Sequence, residues 1–136
     1  LMDKKFLKKI IAQSPLDLQM ISAFCSESWV KLSDIKYLPK SKLFLISIQR
    51  LRKESGNEKN KVNSIIKFEF IESSKSKNIN HNNPDRILEL LAIDLLKREQ
   101  NYEIILLFSN NAFITLTAEI IEVTLEDQKN INDKSI

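Results

Sequence analysis

From Trp29 onward the chain alternates apolar and polar residues with a period of two. Val30 and Leu32 alternate with Lys31 and Ser33, and the run continues to Tyr37-Leu38. Pro39-Lys40-Ser41-Lys42 then forms a polar stretch whose proline cannot continue a ladder. Residues 43–51 place Phe44, Ile46 and Ile48 on one face, so the two runs predict a hairpin. Residues 52–61 hold the only glycine, Gly56, and no apolar side chain, which predicts a solvated loop. Ile66, Phe68 and Phe70 alternate with Lys67 and Glu69 in the clearest strand of the chain. Residues 73–83 are polar apart from Ile79 and predict a ragged edge strand followed by a loop. Residues 102–108 and 113–125 predict a second hairpin around Ser109-Asn110-Asn111-Ala112, since asparagine tolerates positive φ.

Two segments depart from that period. Residues 6–11 read as a short strand, and Ser14-Pro15-Leu16-Asp17 then reads as a helix start, with Ser14 as N-cap and Pro15 at the first helical position. Leu16, Met20, Ile21 and Phe24 recur at helical spacing, so the helix is expected to end near Glu27 with that stripe on a sheet. Residues 84–96 are compatible with either state. Asn83-Pro84-Asp85 resembles a cap and Leu88, Leu91 and Leu95 are helix-spaced, yet 90–96 also suits a buried strand. The reading adopted is one helical turn over 84–89 and then a strand.

The last run changes phase. Ile114, Leu116, Ala118 and Ile120 share one phase, while Ile121, Val123 and Leu125 share the other. A strand whose inward face switches carries a bulge or a sharp bend, which lets a sheet curl. The expected fold is therefore α+β: a mainly antiparallel, meander-like sheet of about six or seven strands, curled toward a roll or barrel, with one N-terminal helix on it. Residues 1–127 form one domain, and 128–136, without pattern, are expected to fray.

Composition narrows the chemistry. The 136 residues are 43% hydrophobic and 29% charged, as in an ordinary globular domain. One cysteine, Cys25, cannot form an internal disulfide, and a single histidine, His81, cannot complete a metal set with it. Lys8-Lys9 interrupts the first apolar residues, so no signal-peptide core is expected, and no apolar run approaches the ~20 residues that span a bilayer. The expected compartment is the cytoplasm. Net charge is +3, but residues 36–77 carry +7 and residues 78–136 carry −5. That asymmetry permits an anion-binding face, and equally permits ion pairing between the two halves. Lysine outnumbers arginine 17 to 4, which weakens any argument from one lysine.

Each candidate site faces an ordinary structural alternative. Cys25 falls in the last turn of the helix, where the dipole disfavours a thiolate, and reads as a small packing residue. A lone glycine cannot build a phosphate cradle. Glu119 and Glu122 flank the phase switch and are the candidate carboxylate pair of an enzyme. Trp29 and Tyr37 bracket the first strand as candidate anchors for a protein partner, together with Arg50. Arg50, Arg52, Lys75 and Lys77 are the candidate anion or RNA contacts, although exposed aromatics flanked by glycine are missing.

Asp17-Leu18 with Ile21-Ser22-Ala23, Asp34-Ile35-Lys36-Tyr37-Leu38-Pro39, Asn83-Pro84-Asp85, Leu90-Leu91-Ala92-Ile93 and Ile120-Ile121-Glu122 with Leu125-Glu126-Asp127 occur in that order. In order and spacing they resemble the uncharacterised bacterial domain of unknown function 2948, found mainly in alphaproteobacteria, over about residues 16–127. That family carries no assigned activity, so the resemblance names none, and no cofactor is expected. It does imply basic residues at Arg50, Lys75 and Lys77, and an aromatic after Arg50 where this chain has Lys53-Glu54. The expectation is a non-enzymatic cytosolic adaptor for a protein partner, with nucleic acid as the lesser alternative and no membrane or metal role.

Overall fold

A computed structural model describes residues 7–51 and 61–129. In chain order the elements are β1 (Lys9–Ala12), α1 (Pro15–Cys25), β2 (Ser28–Lys31), β3 (Ile35–Leu38), β4 (Leu43–Leu51), β5 (Lys61–Phe68), β6 (Ile71–Lys77), β7 (Ile87–Lys97), β8 (Tyr102–Phe108), β9 (Phe113–Ala118) and β10 (Val123–Asp127). The ten strands form one antiparallel sheet in the order β1-β10-β5-β4-β2-β7-β8-β9-β6, with β3 beside β4. The predicted class holds, with more strands than the alternation resolves. The expected loop over 52–61 (apart from Lys61, which opens β5), the tail beyond 129 and Phe6 lie outside the described residues.

The extra strands arise where the chain breaks a run that looks continuous. A 3-10 turn at Leu32–Asp34 divides the first run into β2 and β3, held by Leu32 N–H to Arg86 O (2.9 Å) and Ser33 N–H to Pro84 O (2.9 Å). The 84–89 segment forms no helical turn. Its backbone groups bind that 3-10 turn and then enter β7 at Ile87. The last run likewise divides into β9 and β10.

That division makes a corner. β5 and β10 pair up to Phe68↔Val123, and the same two chain segments pair again as β6 and β9 from Ile71↔Ala118. Between them Glu69 N–H donates to Glu122 O (3.0 Å) and Glu119 N–H to Phe70 O (3.0 Å). The two segments therefore bend together. Phe70 takes φ 60° at the bend and is exposed, so it does not continue the face of Phe68. Ile120 is exposed too, and Ile121 resumes the inward stripe. The corner carries β6 round to the β3–β4 connection, where Ile71 N–H donates to Lys42 O (2.9 Å) and Tyr37 Oη–H to Ile71 O (3.0 Å). The sheet is thus curled without closing.

Ser14 caps α1 through its Oγ, which accepts the Asp17 N–H at 3.2 Å. The helix buries Leu18, Ile21 and Cys25, whereas Leu16 and Met20 of the expected stripe are exposed. Apolar residues occupy nearly every helical face here, so the contact with β7 sets the rotation. Ser22 Oγ accepts the Ile93 N–H (2.9 Å) beside the β7 irregularity at Leu90/Ala92. The core under the helix runs through Phe44, Ile46, Ile66, Phe68, Leu90, Ile104 and Leu116. Phe44 and Phe68 meet edge-to-face at 5.8 Å, a geometry worth about 0.5–1.5 kcal/mol beyond area burial.

One buried ion pair joins four neighbouring segments. Arg50 on β4 and Asp127 on β10 both have fully buried side chains. Arg50 Nε and Nη2 donate to Asp127 Oδ1 (2.9 Å) and Oδ2 (2.6 Å), Ser64 Oγ on β5 donates to Oδ1 (2.6 Å), and the Lys8 backbone N–H donates to Oδ2 (2.8 Å). Burial alone would push the Asp127 carboxyl up. The hydrogen bonds from Arg50, Ser64 and Lys8, with the Arg50 charge, outweigh it and hold the group below its ordinary value.

Asp127→Ala leaves a buried guanidinium without its counter-charge, so urea unfolding is expected to show a loss of about 3–5 kcal/mol. The double change Arg50→Met/Asp127→Leu is expected to cost far less than the two single changes added together. Because the folded pKa is depressed, the Asp127 contribution is complete above the unfolded value near 4 and is lost as pH falls through the folded value. The wild-type protein should therefore lose stability below about pH 4, and Asp127→Asn should flatten that limb. Ser28 Oγ is buried and has no hydrogen-bond partner among the described residues. Ser28→Ala is accordingly expected to raise stability by about 1 kcal/mol in the same assay.

Candidate functional site

β2 is an interior strand of four residues that shows one large apolar side chain to solvent. Ser28 and Val30 point inward, and Trp29 and Lys31 point outward. Trp29 lies opposite Gln49 of β4 and Glu89 of β7, and 52% of its surface is exposed. Lys61 Nζ sits 4.3 Å from the centre of its ring, a cation–π contact across the outer face.

Two depressions adjoin the indole. The larger, about 530 Å³, is bordered by Trp29, Lys31, Asp34, Gln49, Asn63 and Ile87 among others. It exists because β2 pairs with β4 only at Trp29↔Gln49 before the chain leaves in the 3-10 turn, and β3 rejoins β4 at Ile35↔Ile46. Ser47 and Ile48 are thereby left between the two pairings and line the floor. The smaller depression, about 220 Å³, lies between Trp29, Glu27, Leu51, Lys61 and Glu89. Among the described residues the rim mixes both signs of charge, Lys31 and Lys61 with Glu27, Asp34 and Glu89.

The remaining candidates do not gather here. Tyr37 and Trp29 lie on opposite faces of the sheet. Both numbers are odd, but the 3-10 turn shifts the phase, so even positions face inward on β2 and odd positions on β3. Tyr37 packs 6.4 Å from the Phe44 ring and donates to the Ile71 carbonyl, which makes it part of the corner. Arg50 is removed from both the partner and the anion surfaces, because its guanidinium is buried against Asp127. The signal was present in the sequence: the alternation that turns Phe44, Ile46 and Ile48 inward also turns Arg50 inward, and Val123 and Leu125 do the same for Asp127.

Lys75 and Lys77 are exposed on β6, separated from β2 by β7, β8 and β9. Arg52 lies outside the described residues. Glu119 and Glu122 face different partners: Glu119 pairs with Lys42, and Glu122 Oε1 accepts from Gln13 Nε2 at 2.9 Å. Glu119 raises the Lys42 pKa by hydrogen bonding and charge. His81 meets Ser76 Oγ at 2.8 Å in an exposed loop, and Cys25 is buried in the core. Among the described residues no three His, Cys, Asp or Glu side chains gather as a metal site would require. No described helix is long and apolar enough to cross a membrane.

A family model described as "Protein of unknown function (DUF2948)" matches residues 8–135. The chain belongs to this family. No curated protein matches it. An uncharacterised protein from Neisseria gonorrhoeae, known from a crystal structure, is similar at 18% identity with a TM-score of 0.46, covering 85% of this chain and 96% of that one. Neither likeness in this DUF2948 chain assigns a role to the surface around Trp29.

Trp29 is the sole tryptophan, so its fluorescence reports this surface directly. Acrylamide is expected to quench it efficiently in the folded protein, and Lys61→Met is expected to change its emission. Trp29→Ala should cost no more than about 1 kcal/mol in urea unfolding, the span of side-chain effects on a half-exposed strand.

Proposed function

We propose that the protein is a cytoplasmic, non-enzymatic binding module that holds a protein partner on the outer face of its sheet, with Trp29 as the anchor. The observation that carries this reading is the half-exposed indole on an interior strand, between two depressions with a mixed-charge rim. Tryptophan is enriched among the few residues that dominate protein interfaces, and such anchors work when a polar rim excludes water around them. A rigid strand also holds the ring in place before binding, which lowers the ordering cost.

Nucleic-acid recognition fits this surface less well. It calls for several free cations beside the stacking ring, whereas Glu27, Asp34 and Glu89 offset Lys31 and Lys61. Carboxylate chemistry at Glu119 and Glu122 fits less well, since each carboxylate engages its own partner, Lys42 and Gln13.

The test is an affinity capture from native lysate, divided into nuclease-treated and untreated halves, with the wild type beside Trp29→Ala. A stoichiometric protein that survives nuclease and high salt, and that Trp29→Ala loses at least about tenfold, is the expected result; such a loss corresponds to an anchor of at least about 1.4 kcal/mol. Recovery that disappears with nuclease, or that is indifferent to Trp29, overturns the reading.

A further inference from the structure

β6 ends the sheet, and among the described residues only β9 pairs with it. After an irregularity at Ile71/Ser73, five consecutive pairs run without interruption from Ser73↔Thr117 to Lys77↔Phe113. The outer edge of this stretch is therefore a regular row of backbone donors and acceptors open to pairing. Both ends are fastened. Ile71 is held by Lys42 and Tyr37 at one end, and at the other Asn78, with φ 61°, donates from Nδ2 to Asn111 O at 2.8 Å.

The side chains along this edge sort by face. Ser74 and Ser76 pair with Leu116 and Ile114, whose side chains are buried, so they lie on the core side. Lys75 and Lys77 lie on the other side, both exposed, and neither has a carboxylate partner among the described residues. Lysines on an edge discourage unselective pairing. A second copy of β6 would bring like charges against each other, which destabilises cross-strand pairs. An incoming strand with acidic side chains on the lysine side gains the opposite sign of the same interaction. On the other face His81 Nε2 already meets Ser76 Oγ at 2.8 Å, so the room for a small or apolar side chain lies beside Ser74.

We propose that β6 is an acceptor edge that adds one extended, acidic segment of a partner protein as a further strand, its carboxylates beside Lys75 and Lys77. Backbone pairing supplies the attachment and the two lysines select the charge, as in other strand-addition modes. This goes beyond the Trp29 reading and does not depend on it, because three strands separate the two surfaces.

The test uses an end-blocked peptide of alternating glutamate and valine, and its lysine–valine counterpart, added to the isotope-labelled protein. Expected is slowed amide exchange confined to residues 73–77, with cross-strand contacts between peptide and β6, for the glutamate peptide only. Lys75→Glu/Lys77→Glu should weaken that peptide by about tenfold and favour the lysine peptide instead, while Trp29→Ala changes neither. Protection elsewhere, equal response to both peptides, or no response at millimolar peptide overturns the proposal. So does concentration-dependent self-association through β6 without peptide.

Discussion

The carboxylate of Asp127 is the point on which one half of the sheet depends. It receives Arg50 from β4, Ser64 from β5 and the backbone of Lys8 ahead of β1, so one buried anion joins four adjacent segments in the order β1-β10-β5-β4. A charge so far from water is tolerable only when its hydrogen-bonding capacity is filled. Register errors in β4, β5 or β10 would leave it unfilled. The pair therefore ties the registers of β4, β5 and β10 to one another. Phe24 lies 5.7 Å from the Arg50 guanidinium carbon, so the helix covers the pair as well as the apolar core.

The second constraint is a shortage of glycine. With Gly56 alone, the turns must use residues that resist positive φ. Asn78, Asn110 and Asn111 do so at modest cost, and the two consecutive asparagines give the β8–β9 hairpin its primed turn. Glu27, Lys42 and Phe70 do so against their preference. Each is compensated locally. Glu27 N–H reaches Leu90 O, Lys42 donates to Pro39 O and accepts from Ile71, and Phe70 O accepts from Glu119. The corner at Phe70 is thus built from backbone hydrogen bonds between two strands that bend in step.

These constraints decide where the chain is left exposed. Fastening the 3-10 turn at Leu32–Asp34 to the 84–86 segment opens the gap beside Trp29. Fastening both ends of β6 leaves its middle as a straight, charged edge. Both surfaces are consequences of the same rigid frame, and each presents its groups already in place.

The sequence by itself determined the elements whose signals are local. The capped helix, the Phe44-Ile46-Ile48 stripe, the Asn110-Asn111 turn and the phase switch near Ile120 were legible, because capping, alternation and left-handed φ act within a few residues. Tertiary structure decided what depends on distant partners. The rotation of α1 was set by β7, since both of its stripes are apolar. The 87–97 segment became strand because β2 and β8 pair with it on either side. Most consequentially, three residues at Leu32–Asp34 moved Tyr37 to the face opposite Trp29, and folding gave Arg50, which the β4 alternation already turns inward, its counter-charge 77 positions away. Local periodicity carries no information about a phase shift held by hydrogen bonds from elsewhere, or about a counter-charge that only folding brings near.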